Sequence, residues 1–278
     1  MRRLLLLLLA LGLALELARA QEARAWGIRT HAAINRRAAE AAGEACGGFF
    51  RRHAAELARR APEPDTVLKA RLGEREQIRH FIDLDSYPES VVPEDYHAAV
   101  ERYGRDRVRR SGILPWRIDQ LAAELARALK RGEEAAAVED AAYLGHYIAD
   151  ATMPLHTTRN YDGQLTHQSG VHARIERELI DDHLARYERA LADATIAPEP
   201  WPRTARARRT VTFALLVASA RRVPALLRAD RTAASADRRH GELYLERFEA
   251  LAGPLLRAQL VAGAEAVAAS WKGACPSR

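Results

Sequence analysis

Cysteine, lysine and aromatic side chains are all scarce in this chain of 278 residues. The two cysteines, Cys46 and Cys275, lie too far apart to form a zinc knuckle; in an oxidising compartment they suit one long-range disulfide. Lysine occurs only at Lys69, Lys130 and Lys272, so the formal charge of +6 rests on arginines scattered among acids. That pattern reads as solvated helix faces rather than a nucleic-acid-binding stripe. Aromatics make up 6% of the chain and leave few platforms for stacked bases. Runs of β-branched residues are equally rare, and no segment reads as a strand.

Only one long apolar run stands out, from Leu4 to Leu15, preceded by Arg2 and Arg3 and closed by Glu16. Its twelve residues fall short of the about 20 that span a bilayer. Small-residue cleavage signals follow at Ala18-Arg19-Ala20 and Ala23-Arg24-Ala25. The segment 1–25 therefore reads as a secretory signal peptide, with export to the periplasm or the exterior expected. Its removal leaves 26–278 as one expected soluble domain with a formal charge of +4. No later segment is expected to cross a membrane.

Alanine, leucine, arginine and glutamate dominate, and apolar residues recur three and four apart, which predicts an all-α domain of about nine helices. The expected spans are 29–43, 48–60, 74–84, 93–103, 116–131, 134–152, 168–190, 204–228 and 236–271. Proline and glycine punctuate them at Pro62, Pro64, Pro88, Pro93, Gly112, Pro115, Pro154, Gly163 and Gly170, then at Pro198, Pro200 and Pro202.

Ten histidines remain to be explained. In GHYIADATMPLH, His146 and Asp150 stand four apart, on one face of a predicted helix, where both can grip one ion. Pro154 ends that helix and frees His156 to turn toward a neighbouring ion. In GVHARIERELI, His172 and Glu176 repeat the four-residue spacing. A single such pair is ordinarily a helix hydrogen bond or ion pair. Two pairs within thirty-one residues, with a histidine between them, point to a metal centre, and imidazole with carboxylate is a donor set that suits zinc. His53, His97, His183 and His240 lie on charged helical stretches and His167 in a loop; none is expected to be a ligand. Asp83, three residues after His80, is the expected hydrogen-bond acceptor for a ligand histidine.

These motifs, with WGIRTH at the mature start, PEPDTVLKA and RHFID, make the chain similar to the zinc-dependent phospholipases C and the single-strand-specific nucleases that share their helical fold. GILPW and TRNYDGQL add to the likeness. The resemblance covers most of the mature chain and implies a trinuclear zinc site. It assigns Asp65, His80, His146 and Asp150 to one zinc, and His156, His172 and Glu176 to a second. Trp26, through its free amine and carbonyl, would hold the third with His31 and a bridging Asp150. That last site requires cleavage immediately after Ala25. The resemblance also makes Asp65 the proton acceptor for the attacking water.

It implies phosphodiester hydrolysis by a monomer with no stable protein partner. Glu176 and the sixteen-residue step from His156 to His172 look like the phospholipase branch. The five-residue step from Trp26 to His31 and the disulfide look like the nuclease branch. Phospholipid or a related small phosphodiester is the first expected substrate and single-stranded nucleic acid the second. A noncatalytic zinc-binding surface protein is the alternative from another class.

Overall fold

Helix follows wherever small and apolar residues recur with a period near 3.6. In the computed structural model, which describes residues 26–276, every regular element among the described residues is helical. The expected leader, 1–25, lies outside them. The α-helices that build the packing are α1 (Ile28–Ala42), α2 (Ala54–Arg60), α3 (Tyr96–Tyr103), α4 (Leu114–Arg131), α5 (Glu134–Thr152), α6 (Leu184–Asp193), α7 (Ala205–Ala220), α8 (Val223–Ala236) and α9 (Glu242–Ala274), with shorter helical pieces, among them the kinked Ala45–Arg52, between them.

Helix α5 is the centre of the packing. From Ala141 to Thr152 every residue on it is buried, which a helix tolerates only when neighbours cover it on all sides. Helices α4, α9, α2, α1 and α7 supply that cover. The approach of α1 depends on Gly145, because a Cβ there would meet Asn35 Oδ1 at 2.2 Å. Asn35 is itself fixed, its Nδ2 donating to Ala142 O at 3.0 Å and Leu57 O at 3.3 Å. The close crossing brings His31 of α1 onto the next α5 residue, His146, with the rings stacked at 3.9 Å. The start of α1 is capped from a distant part of the chain: Asp181 accepts from the Thr30 amide at 3.1 Å and its hydroxyl at 2.6 Å.

Cys46 and Cys275 are disulfide-bonded across 229 residues, which ties the end of α9 to the N-terminal helices. Such bonds persist in oxidising compartments. Trp271, near the same end, stacks on Phe50 at 5.0 Å and donates to Ala141 O at 3.1 Å.

Several expected spans are broken. The 74–84 span is helical only over Glu74–Gln77, because its later backbone groups bond to distant chain. Ile82 N–H donates to His156 O at 2.9 Å and Asp83 N–H to Ser111 O at 2.7 Å, while Ile78 O accepts from Ile113 N–H at 2.7 Å. The 48–60 span is interrupted at His53. The 168–190 span begins at Val171, widens into a π-helix over Arg174–Ile180 and resumes as α6. The last two expected helices become three, since α7 ends at Ala220 and Pro224 opens α8. By length and composition Ala205–Ala236 is apolar enough to cross a membrane, which corrects the expectation that nothing after the leader would be. In the fold it is interrupted at Arg221 and Arg222, and Phe213, Leu216, Leu226 and Leu227 pack into the core.

Candidate metal centre

The C-terminal half of α5 presents His146 and Asp150 from one face, as the four-residue spacing requires. Met153 leaves the helix in an extended conformation and Pro154 opens a 3-10 turn that carries His156 back beside them. His156 Nδ1 donates to His80 O at 2.7 Å, so this turn also fixes the segment that holds His80. Asp65 and Glu176 both sit on π-helical turns, Pro64–Leu68 and Arg174–Ile180. Such wide turns recur at functional sites. His172 enters through a loop ordered by Asp162, which accepts from Gly170 N–H at 2.8 Å and His172 N–H at 3.3 Å.

Three buried groups result: His31, His146 and Asp150; Asp65, His80 and His146; and His156, His172 and Glu176. Each presents donor atoms close enough to hold one metal ion. In the middle group His80 Nδ1 lies 3.0 Å from both His146 Nε2 and Asp150 Oδ2, and 3.5 Å from Asp65 Oδ1. In the last, His156 Nε2 lies 3.2 Å from His172 Nε2, which is 2.7 Å from Glu176 Oε1. Asp150 joins the groups, with Oδ1 3.4 Å from His31 Nε2 and 3.7 Å from His156 Nδ1. Eight of the nine expected ligands thus converge. Trp26 is fully buried and its indole donates to Ala149 O at 2.7 Å, which seats it beside Asp150. Its expected amine contact requires cleavage at residue 25, outside the described residues.

The donor set fits a cation. Two atoms that face the site, His31 Nε2 and Asp150 Oδ1, are buried without a hydrogen-bond partner, a costly condition in a protein interior. The donor spacings run from 2.7 to 3.9 Å, around the edge of about 3.3 Å expected of a tetrahedron with zinc–nitrogen bonds of about 2.0 Å.

The electrostatics follow from burial opposed by neighbours. Burial pushes Asp150 up, but His146 and His156 outweigh it and hold the carboxyl well below the usual range. Asp65 follows the same pattern, its burial outweighed by Lys69, bonded at 2.6 Å, and by His146 and His80. Burial dominates at Glu176, pushing it up to about 7, and at His156, pushing it down to about 3. His172 is driven down by burial but ends raised, because Glu176 faces it.

A cavity of about 390 Å³ opens onto His80, His156 and His172, walled by Phe81 and Leu155 and rimmed by Lys69, Arg110 and Tyr161. Asp83 also lines it; burial and the charge of Asp85 push its carboxyl up to about 7. The carboxylate that faces a ligand imidazole is not Asp83 but Glu76, whose Oε1 is 3.5 Å from His80 Nε2. Glu76 escaped the sequence reading, although it precedes His80 by the same four-residue step that marks the other pairs. His53, expected to be free of the site, pairs with Glu134 at 3.2 Å. Neither it nor His97, His167, His183 or His240 belongs to a metal-binding group among the described residues.

Fold and site together define an all-α protein with a buried, multi-histidine centre able to hold metal. No protein-family model matches the chain and no curated protein matches it.

Proposed function

We propose that this chain is an exported, zinc-dependent phosphodiester hydrolase, periplasmic or secreted, of the type that the phospholipase C and single-strand nuclease likeness implies. The observation that carries the reading is the convergence of eight expected ligands into three adjoining buried groups, two of them sharing His146, beside an open cavity. Asp65, His80, His146 and Asp150 would hold one zinc, His156, His172 and Glu176 a second, and His31 and Asp150 a third with the freed Trp26 amine. Zinc bound there supplies Lewis-acid charge and acidifies water near neutral pH.

The chain's own residues do the rest. Lys69 and Arg110 at the cavity rim draw in and orient a phosphodiester anion. Leu155 and Phe81 exclude water from one wall. Asp65 is the assigned proton acceptor, but its ion pair with Lys69 works against basicity. An Asp65→Asn protein that kept its zinc and full turnover would remove Asp65 from that role.

Phospholipid or a related small phosphodiester is the first substrate class. Single-stranded nucleic acid is the second, favoured by the two aromatic rings at the cavity, Phe81 and the 44% exposed Tyr161, on which bases can stack. The test is to assay zinc-replete mature protein on phosphatidylcholine, single-stranded DNA and RNA side by side, with a chelated control. Cleavage that the chelator abolishes supports the reading; chelator-resistant cleavage overturns the mechanism. Zinc-loaded protein inactive on all three would point to a noncatalytic zinc-binding protein.

A further inference from the structure

We infer that Glu76 is the positioning residue for His80: its carboxylate is the acceptor facing the Nε2–H, so that Nδ1 is the nitrogen offered to the metal. The inference rests on the metal-centre reading and adds to it a residue outside the expected ligand set.

An imidazole that binds a metal through one nitrogen carries its proton on the other, and that N–H must meet an acceptor if ring and tautomer are to be fixed. The ligand histidines solve this differently. His156 Nδ1–H donates to His80 O at 2.7 Å, and His172 Nδ1–H donates to Tyr161 O at 3.0 Å, so both offer Nε2. His80 is turned the other way. Its Nδ1 is the atom 3.0 Å from Asp150 and from His146, while Nε2 points away from them and has no hydrogen-bond partner.

Glu76 Oε1 faces that nitrogen at 3.5 Å, one step beyond hydrogen-bond length. Glu76 is fully buried, and a buried carboxylate is stable only when its oxygens are occupied. Oε2 accepts from Arg79 at 2.8 Å and Oε1 accepts from the Tyr147 hydroxyl. Tyr147 directly follows the ligand His146 on α5, so the carboxylate stands between two ligand-bearing segments. A purely structural Glu76 would need only Arg79 and Tyr147. The approach of His80 Nε2 is what distinguishes the positioning role, and His80 is the one of these three histidines whose orienting group is a side chain that mutation can remove.

The experiment uses mature protein labelled with ¹⁵N at histidine. Long-range proton–nitrogen spectra report the His80 tautomer, and competition with a chromophoric chelator reports zinc affinity for wild type, Glu76→Gln and Tyr147→Phe. The expected results are a proton on Nε2 of wild-type His80, a 10- to 100-fold loss of zinc affinity in Glu76→Gln, and affinity within about threefold of wild type in Tyr147→Phe. A proton on Nδ1, undiminished affinity in Glu76→Gln, or equal losses in both variants would overturn the inference. The tautomer is read in the zinc-loaded protein, because without metal Asp150 Oδ2, 3.0 Å from Nδ1, competes for the proton. A wild type that binds no zinc would defeat the metal reading, whereas zinc bound with a proton on Nδ1, or with undiminished affinity in Glu76→Gln, would defeat the role of Glu76 alone.

Discussion

The π-widened segment Arg174–Ile180 and the short helix before it serve two buried polar assemblies that are completed in opposite ways. On one side Arg174 reaches toward α8 and α9. Its Nε donates to Tyr244 at 3.1 Å, and its guanidinium nitrogens donate to Ser169 O at 2.9 Å, Gln168 O at 3.1 Å and Asp230 at 3.0 Å. Asp230 also accepts from the Tyr244 hydroxyl and from Gln168 Nε2 at 2.6 Å. Every strong donor meets an acceptor supplied by the chain. On the other side His172 and Glu176 enter a centre where Asp150 Oδ1 and several imidazole nitrogens have none. Both assemblies are buried and charged, so burial alone marks neither as functional. The difference lies in satisfaction: the first is complete without a guest, and the second keeps unpartnered buried atoms among groups that could hold cations.

The largest effect is expected where the unsatisfied assembly is joined. Asp150→Asn keeps the shape and removes the charge shared by four histidines, His31, His80, His146 and, at 3.7 Å, His156. Zinc affinity at the two sites it would ligate should fall about a thousandfold or more, roughly 4 kcal/mol each, while the His156, His172 and Glu176 group keeps its ion. Zinc counted per chain by atomic absorption checks this. Unchanged stoichiometry would mean that Asp150 is not a shared ligand and would erase the contrast between the assemblies.

Asp230→Asn should act the other way. Halving a buried ion pair leaves Arg174 uncompensated and destabilises the fold by about 3 kcal/mol, read from the urea midpoint of the zinc-loaded protein. Zinc per folded chain should stay at the wild-type value. Parallel loss of zinc would show that the Arg174 network sets the metal site as well as the fold, and the two assemblies would then have to be treated as one.

The contrast also explains what was legible in the sequence. Helix α5 matches its expected span of 134–152 because its signal is local: an alanine-rich start and a proline stop. His146 with Asp150 and His172 with Glu176 were readable because helical spacing puts them on one face before any tertiary contact forms. The 74–84 segment was not, since its backbone partners lie at Ser111, Ile113 and His156, and no local propensity encodes them. The Arg174–Asp230 pair is fifty-six residues apart and equally silent. The π-turns under Asp65 and Glu176 likewise leave no periodic trace. Ala205–Ala236 shows the reverse error, an apolar signal that a membrane test accepts and that two arginines and a proline divide in the fold. Glu76 was legible in principle, but a carboxylate four residues before a histidine is commonplace in a helical chain rich in glutamate.

The smallest expected effect is the dependence of zinc binding on pH, and it separates the assemblies without any mutation. Burial pushes Glu176 up to about 7, with Asp65 and Asp150 adding to the shift and His172 opposing it. Below pH 7 the metal-free carboxyl therefore keeps a proton that an entering cation must displace; above pH 7 it does not. Zinc affinity at this group should fall about tenfold for each unit below pH 7, about 1.4 kcal/mol, and level off above it. Titration calorimetry at pH 6, 7 and 8, in buffers of different ionisation heat, measures both the affinity and the protons released. Glu176→Gln should bind more weakly at every pH and release fewer protons at pH 6. A wild-type affinity that is flat from pH 6 to 8 would mean that Glu176 is already ionised before the metal arrives, and that the chain itself had satisfied this part of the centre.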